Sequence, residues 1–119
     1  PCSATGVIRR KPDVRLMRSE ATLKSLLGMQ AMILDATWRT LRVGGRFLVT
    51  TCSVLPQENQ HQIRKFLDRH PDAALVQIKG APGIDTKFGI QHFPIHTGGD
   101  GFFYALLVKS KPINGGVSA

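Results

Sequence analysis

The stretch GGRFLVTTCSVLPQEN, residues 44–59, carries the pattern on which the fold prediction rests. Its two glycines end a helical pattern, and the apolar run at 46–50 predicts a central strand buried on both faces. Pro56 suits the first turn of a following helix, with Glu58 near the positive end of that helix. Cys52 therefore lies at a strand exit close to a helix start, a position that presents a side chain rather than burying it.

The flanking sequence predicts the remaining elements. Apolar residues at helical spacing indicate a first helix from Ala21 to Leu41. The helix that begins near Pro56 should end before His70, which precedes a proline. Residues 80–100 hold five of the chain's twelve glycines and are interpreted as a long loop. Two further strands are predicted, at residues 74–78 and 101–109. Four aromatic residues in regular elements are expected in the core: Trp38, Phe66, Phe102 and Phe103.

This element order predicts an α/β domain. A strand joined to the next through a helix implies a right-handed crossover between parallel strands, and a last strand reached by a loop should pair antiparallel. We therefore predict the C-terminal half of a doubly wound, Rossmann-like domain over residues 1–110, with an antiparallel strand at the sheet edge. Residues 111–119 are expected to form a disordered tail. Ligands of such sheets bind at the carboxyl ends of parallel strands, where Cys52 lies. Cys2 would lie there too if Pro1 ends a strand.

The charge balance favours a polyanionic partner. The chain has 119 residues and a formal net charge of +8, from sixteen Lys and Arg against eight Asp and Glu. Nucleic acid is the usual partner of such a chain, although many small basic domains bind nothing acidic. The most basic segment contributes Arg9, Arg10, Lys11, Arg15 and Arg18. These five residues are candidates for contacts with RNA phosphates, and a solvated loop is the alternative.

Other functional classes find little support in the sequence. No apolar run approaches the length of a membrane span, and we recognise no signal or targeting segment. Two cysteines are too few for a disulfide framework, and the histidines show no metal-ligand spacing. We therefore expect a cytoplasmic protein with reduced thiols, without a membrane or metal partner. The oligomeric state is left open.

Cys52 has two interpretations from its context alone. An isolated cysteine is most often a small buried hydrophobe. The polar neighbours Thr50, Thr51 and Ser53 fit a strand exit better than a core. A helix start nearby would favour the thiolate, which is the form that attacks electrophilic carbon. The spacing leaves a nucleophile and a buried hydrophobe equally open.

Several short motifs follow one another along the chain: PCSATG at 1–6, LDA at 34–36 with VGG at 43–45, TCS at 51–53 and DGFFYA at 100–105. This series resembles the motifs of the RNA 5-methylcytosine methyltransferases, the Nol1/Nop2/Sun family, and it covers almost the whole chain. The longer phrase TCSVLP, followed by Glu58 and Asn59, is most similar to the bacterial Sun branch, which methylates small-subunit ribosomal RNA.

The resemblance implies a methyltransferase domain that moves a methyl group from S-adenosylmethionine to carbon 5 of cytosine in RNA, through a covalent cysteine–cytosine intermediate. It implies that Cys52 is the nucleophile and that Cys2 serves product release. Pro1 and Ser3 are candidate neighbours of the cofactor. The family's glycine-rich cofactor loop would precede Pro1, and we find none here, so we expect the chain by itself to be inactive.

Two alternatives from other classes stay open. The chain could be a noncatalytic RNA-binding module of the same fold, although both Cys2 and Cys52 stand in their motif contexts. It could also be a thiol redox switch that uses the same two cysteines, which a count of reactive thiols under mild oxidant would reveal.

Overall fold

The computed structural model describes residues 20–78, 80, 82–93 and 101–111, which form two helices and five strands. The helices are α1 (Glu20–Thr40) and α2 (Gln60–Arg69). The strands are β1 (Arg46–Thr51), β2 (Ala73–Val76), β3 (Ile84–Asp85), β4 (Ile90–His92) and β5 (Phe102–Lys109). The predicted bounds of α1, β1, β2 and β5 are therefore correct to within two residues. Residues 1–19, which contain Cys2 and the basic segment, and the predicted tail from residue 112 onward lie outside the described residues.

Strand β5 organises the sheet. It pairs antiparallel with β1, from Arg46 opposite Val108 to Thr51 opposite Phe103. On its other side it pairs antiparallel with β2 and with β4. Because β1 and β2 both run opposite to β5, they are parallel to each other and are joined through α2. The predicted α/β class and the antiparallel pairing of the last strand are confirmed.

The position of the antiparallel strand differs from the prediction. Instead of lying at the sheet edge, β5 is inserted between β1 and β2. The crossover through α2 leaves space for one strand between its two parallel strands, and β5 occupies that space. Each of its residues from 106 to 108 therefore has a partner on both sides.

The glycine-rich segment at 80–100 is not wholly a loop. It contains the short antiparallel pair β3 and β4, closed by a turn in which the Thr86 amide donates to the Gly89 carbonyl at 2.9 Å. Gly89 is required by close approach, since a Cβ there would lie 2.5 Å from Phe103 Cζ and 2.7 Å from the Tyr104 carbonyl. Strands of two and three residues are too short to show an alternating pattern, so periodicity does not reveal them.

Both helices pack on one face of the sheet. Alternate residues of β5 point toward them and are fully buried, and Phe47 and Val49 of β1 face the same way. Trp38 on α1 meets Phe47 and Phe66 edge-to-face, with ring centroids 5.3 and 5.2 Å apart. The buried core consists of Trp38, Ile63, Phe66, Phe103, Ala105 and Leu107. This arrangement confirms the predicted core role of Trp38, Phe66 and Phe103.

The opposite face of the sheet is only partly covered within the described residues. Leu48 is 61% exposed and Phe102 is 40% exposed. Two predictions are therefore wrong for this part of the chain: β1 is covered on one face only, and Phe102 is not a core residue. The physical reason is the strand alternation, which sends neighbouring side chains to opposite faces while both helices cover the same one.

Polar contacts fix the turn between α1 and β1. Lys109 Nζ donates to the carbonyl oxygens of Trp38 and Leu41, at 2.9 and 2.8 Å, where the end of α1 leaves carbonyls without their usual helical partners. The Trp38 oxygen also accepts from the Leu41 amide at 3.1 Å. The Lys109 ammonium lies 5.4 Å from the centre of the Trp38 ring. Gly44 has a φ of 88° and lies in the turn that leads into β1. Because α1 already ends at Thr40, this glycine marks the turn and does not itself end the helix.

A partly exposed ion cluster joins α1 to the end of α2. Asp35 accepts from Arg69 Nη2 at 2.9 Å and lies 2.7 Å from His70 Nε2. Burial acts to raise the pKa of Asp35, but the hydrogen bonds and charges of Arg69 and His70 outweigh it and hold that pKa below its ordinary value. The cluster therefore stabilises the fold only while Asp35 is ionised.

We expect Asp35→Asn to lower the free energy of unfolding by about 0.5–1 kcal/mol near neutral pH, a modest value because the pair is partly exposed. A depressed folded-state pKa contributes stability that is present above the ordinary carboxyl value of about 3.9 and is lost as pH falls through the folded value. The difference from wild type should therefore shrink below about pH 4. Urea unfolding followed by the fluorescence of Trp38 measures it.

The matched control is Asp68→Asn, which removes the same charge from an exposed position on α2. It should change the unfolding free energy by less than Asp35→Asn at neutral pH. Equal effects of the two substitutions, or a pH-independent effect at Asp35, would contradict the assignment.

Candidate active site

Cys52 lies directly after the last residue of β1, at the carboxyl end of the strand, as the sequence predicts. Its side chain is half-buried, whereas the next residue, Ser53, is 0% exposed. The chain thus changes from a strand with one exposed face to a buried polar turn across this single residue. Cys52 is therefore partly exposed while the residue that follows it is enclosed.

Asn59 contacts the chain on both sides of Cys52. Its Oδ1 accepts from Thr51 Oγ1 at 2.6 Å, and its Nδ2 donates to the Ser53 carbonyl at 2.9 Å. The Ser53 amide in turn donates to Thr51 Oγ1 at 3.2 Å. Because that amide belongs to the peptide unit joining Cys52 to Ser53, the bond restricts the backbone dihedral ψ of Cys52.

Gln91, on β4, reaches the same turn from a distant part of the chain. Its Nε2 donates to the Ser53 carbonyl at 3.1 Å, and its Oε1 accepts from Asn59 Nδ2 at 2.7 Å. The same nitrogen lies 3.2 Å from the carbonyl of Phe102 on β5. Asn59 and Gln91 are 0% and 3% exposed, and buried polar groups of this kind require such partners.

The carboxylate of Glu58 also contacts the turn that follows Cys52. It accepts from the Ser53 hydroxyl and, at 2.9 Å, from Gln30 Nε2 on α1. The Ser53 hydroxyl oxygen also accepts from the Leu55 amide at 3.0 Å. Glu58 is thus buried, and it directly precedes Asn59, the N-cap residue of α2, so it lies near the start of that helix as predicted.

The helix after this turn starts later than predicted. Residues 56–59 form a turn in which the amides of Asn59 and His61 both donate to the Pro56 carbonyl, and α2 begins at Gln60. The side chain of Asn59 makes no capping hydrogen bond to α2 because it is engaged with the turn around Cys52. Pro56 therefore opens a turn and not the regular helix.

The other site residues predicted from sequence lie outside the described residues: Pro1, Cys2, Ser3, Arg9, Arg10, Lys11, Arg15 and Arg18. Sequence reasoning missed Asn59 and Gln91 as site residues. Asn59 stands in the quoted stretch and in a motif of the resembled family, which was a usable signal. Gln91 lies in a segment interpreted as a loop, where nothing distinguished it.

The described part of the chain offers a thiol site and little else of catalytic type. Among these residues, no group of three or more His, Cys, Asp or Glu could hold a metal ion. Neither α1 nor α2 is long and apolar enough to cross a membrane. A half-buried thiol on a fixed turn at the carboxyl end of a strand can attack an electrophilic carbon brought to that edge of the sheet.

Comparison with solved structures agrees with this fold. The crystal structure of PH0851 superposes with a TM-score of 0.84 and 34% sequence identity, covering 92% of this chain and 25% of that one. The structure of NSun6 from Pyrococcus horikoshii with SFG gives a TM-score of 0.74 and 29% identity, covering 93% of this chain and 28% of that one. The predicted Rossmann-like architecture is thus shared with methyltransferases of the Sun type.

Curated relatives give the same result at higher identity. The chain is 53% identical over 109 residues to Ribosomal RNA small subunit methyltransferase B of Erwinia tasmaniensis, and the protein of that name from Cronobacter sakazakii gives the same value. Each match covers 92% of this chain and 24% of the relative. The chain therefore spans about a quarter of the length of these relatives. Because residues 1–108 match the family model for the 16S rRNA methyltransferase RsmB/F, the chain belongs to that family.

Proposed function

We propose that the protein carrying this chain transfers a methyl group from S-adenosylmethionine to carbon 5 of a cytosine in small-subunit ribosomal RNA, through a covalent adduct with Cys52. The observation that carries the proposal is the placement of Cys52, a half-buried thiol at the carboxyl end of β1 with hydrogen-bonded residues on both sides. The names of the curated relatives support ribosomal RNA as the substrate. The proposed location is the cytoplasm.

Cytosine needs such a nucleophile because its carbon 5 is only weakly nucleophilic. The Cys52 thiolate adds to carbon 6 and forms a sulfur–carbon bond, and the electron pair of the carbon 5–carbon 6 double bond makes carbon 5 enamine-like. When bound, S-adenosylmethionine would supply the electrophilic methyl group that carbon 5 takes, with its sulfur–methyl bond broken and S-adenosylhomocysteine released. Loss of the carbon 5 proton to a base returns an electron pair, which expels the thiolate and restores the aromatic ring.

The partly exposed position of Cys52 suits attack on a cytosine that has moved out of its stack in the RNA. A cytosine within paired or stacked RNA cannot bring carbon 6 to a protein side chain, so enzymes acting on bases take them out of the stack or use single strands. Cys52 lies at the carboxyl end of β1, on the side of the sheet where ligands of doubly wound domains bind. The apolar core beneath it, with both helices packed on one face, keeps that end of the strand in place.

The described residues do not supply a cofactor loop. The connection from β1 to α2, residues 52–59, contains no glycine, so it cannot form the glycine-rich turn of a nucleotide-type site. The relative NSun6 was solved with SFG, an analogue of S-adenosylmethionine, which supports use of this cofactor. We therefore place the nucleophile in this chain, with Pro1 and Ser3 as candidate cofactor neighbours, and we propose that the chain alone does not methylate RNA.

The two cysteines are expected to have different roles in the full-length protein. Cys52→Ala should abolish methyl transfer, at least about a thousandfold, and should form no covalent adduct with RNA, because it removes the attacking sulfur. Cys2→Ala should still attack and methylate but should release product slowly. A protein–RNA adduct should therefore accumulate in Cys2→Ala on a denaturing gel.

Ser110→Ala provides a control, because it removes an exposed hydroxyl at the end of the sheet opposite Cys52 and leaves both thiols in place. Its adduct level should resemble that of wild type. An adduct in Cys52→Ala and none in Cys2→Ala would exchange the two roles. Adducts in neither variant, with turnover retained in Cys52→Ala, would remove the covalent route.

The basic segment is proposed to contact RNA phosphates in the full-length protein. Replacing Arg9, Arg10 and Lys11 by Ala should weaken RNA binding and flatten the plot of log affinity against log salt. The slope should change by about 0.7 for each phosphate of single-stranded RNA that is no longer neutralised. Filter binding over a range of salt concentrations measures the slope.

The matched control removes three exposed basic residues near the end of β1 that lies away from Cys52: Arg39, Arg42 and Arg46. This variant loses the same charge, so a nonspecific charge effect would flatten both slopes equally. An unchanged slope in the Arg9, Arg10, Lys11 variant would assign the segment to a solvated loop.

A further inference from the structure

We infer that Asn59 and Gln91 are positioning residues for Cys52, acting through the Ser53 carbonyl that both of their amide groups hold. The inference rests on the proposed nucleophilic role of Cys52 and adds the means by which the fold orients it. Neither residue needs to touch substrate for this role.

The Ser53 carbonyl is the point where two remote parts of the fold meet. Asn59 approaches it from the turn before α2, at 2.9 Å, and Gln91 approaches it from β4, at 3.1 Å. The two amides are also bonded to each other at 2.7 Å. One acceptor with two mutually bonded donors has little freedom to move, so the turn following Cys52 is fixed to two elements at once.

The residue before Cys52 is held by the same group. Thr51 Oγ1 donates to Asn59 Oδ1 at 2.6 Å and accepts from the Ser53 amide at 3.2 Å. A single buried asparagine thus restrains the chain immediately before and immediately after the thiol. We call Thr51, Ser53, Asn59 and Gln91 the cysteine bracket.

The short strand β4 places Gln91 beside the turn around Cys52. Gln91 pairs with Phe103 on β5, and this pairing sets the position from which its side chain reaches the turn. A buried glutamine of this kind is costly unless its amide is satisfied, and here it lies within hydrogen-bonding distance of the carbonyls of Ser53, His92 and Phe102. The β3–β4 pair thereby becomes part of the support for Cys52.

Fixed geometry matters for this reaction because the sulfur must approach carbon 6 along a defined direction. A misplacement of about 1 Å from a change outside the reacting atoms can lower a rate by about a hundredfold. A fully satisfied buried polar network specifies one arrangement, whereas a partly satisfied one permits several. The cysteine bracket therefore acts on the catalytic step more than on RNA affinity.

Two substitutions test this by exchanging an amide for a carboxyl group of nearly the same shape. Asn59→Asp and Gln91→Glu each remove the donors to the Ser53 carbonyl and retain the acceptor oxygen. In the full-length protein we expect kcat for RNA methylation to fall at least about tenfold, with KM for RNA within about twofold of wild type. Thr51→Val, a milder change that removes the hydroxyl between Asn59 and the Ser53 amide, should lower kcat in the same manner.

Gln62→Glu is the matched control. Gln62 is a buried glutamine on α2 whose amide donates to the Leu27 carbonyl at 2.9 Å and to Gln30 at 3.1 Å, both on α1. Both of its donors are therefore used there and none is given to the Ser53 carbonyl, although Gln30 and Glu58 link it to the Ser53 hydroxyl. It undergoes the same chemical change at similar burial, so it reports the cost of destabilising this region alone. Circular dichroism at the assay temperature verifies that each compared variant is folded, and Thr51→Val decides the matter if the carboxyl variants unfold.

The outcomes separate this inference from the proposed function. If Cys52→Ala is inactive while Asn59→Asp, Gln91→Glu and Thr51→Val keep the kcat of Gln62→Glu, positioning by the cysteine bracket is wrong and the nucleophile stands. If Cys52→Ala retains turnover, the proposed function itself fails. A kcat decrease in the bracket variants beyond that of Gln62→Glu, at unchanged KM, supports the inference.

Discussion

The hydrogen bonds that Asn59 and Gln91 donate to the Ser53 carbonyl are the interaction on which the functional end of this structure depends. They join the exit of β1, the turn before α2, and β4 at a single acceptor. Every partner is buried, so removing one donor leaves polar groups without compensation in a place that water does not readily reach. Cys52, which is partly exposed, directly precedes this enclosed group.

The apolar core holds the two helices against the sheet. Trp38, Phe66 and Phe103 pack between the helices and the sheet, and Lys109 ties the end of α1 to the last residue of β5. The apolar core sets the orientation of β1 in the sheet. The hydrogen bonds around the Ser53 carbonyl set the path of the backbone as it leaves that strand. The division follows from chemistry, since apolar packing is tolerant of small shifts whereas satisfied hydrogen bonds are directional.

The elements that the sequence predicts well are those whose pattern is local. Helix α1 and strands β1 and β5 are predictable because apolar spacing and the turn at Gly44 are visible along the chain. The place of β5 within the sheet is not, because strand order depends on which edges are already occupied. The β3–β4 pair is hidden as well, because Gln91 is held by partners as distant as Ser53, 38 residues away. Among the predicted site residues, Cys52 lies within the described part of the chain, whereas Cys2 and the basic segment lie outside it.

The most direct measurement is to map the covalent bond itself. The full-length protein is incubated with S-adenosylmethionine and a substrate RNA in which the target cytosine carries fluorine at carbon 5. Fluorine cannot leave as the proton does, so the adduct persists, and tandem mass spectrometry follows digestion with trypsin and nuclease. The account predicts a modified nucleotide on Cys52, within the peptide from Phe47 to Arg64. A nucleotide carried by Cys2 or by any residue other than Cys52 would contradict it.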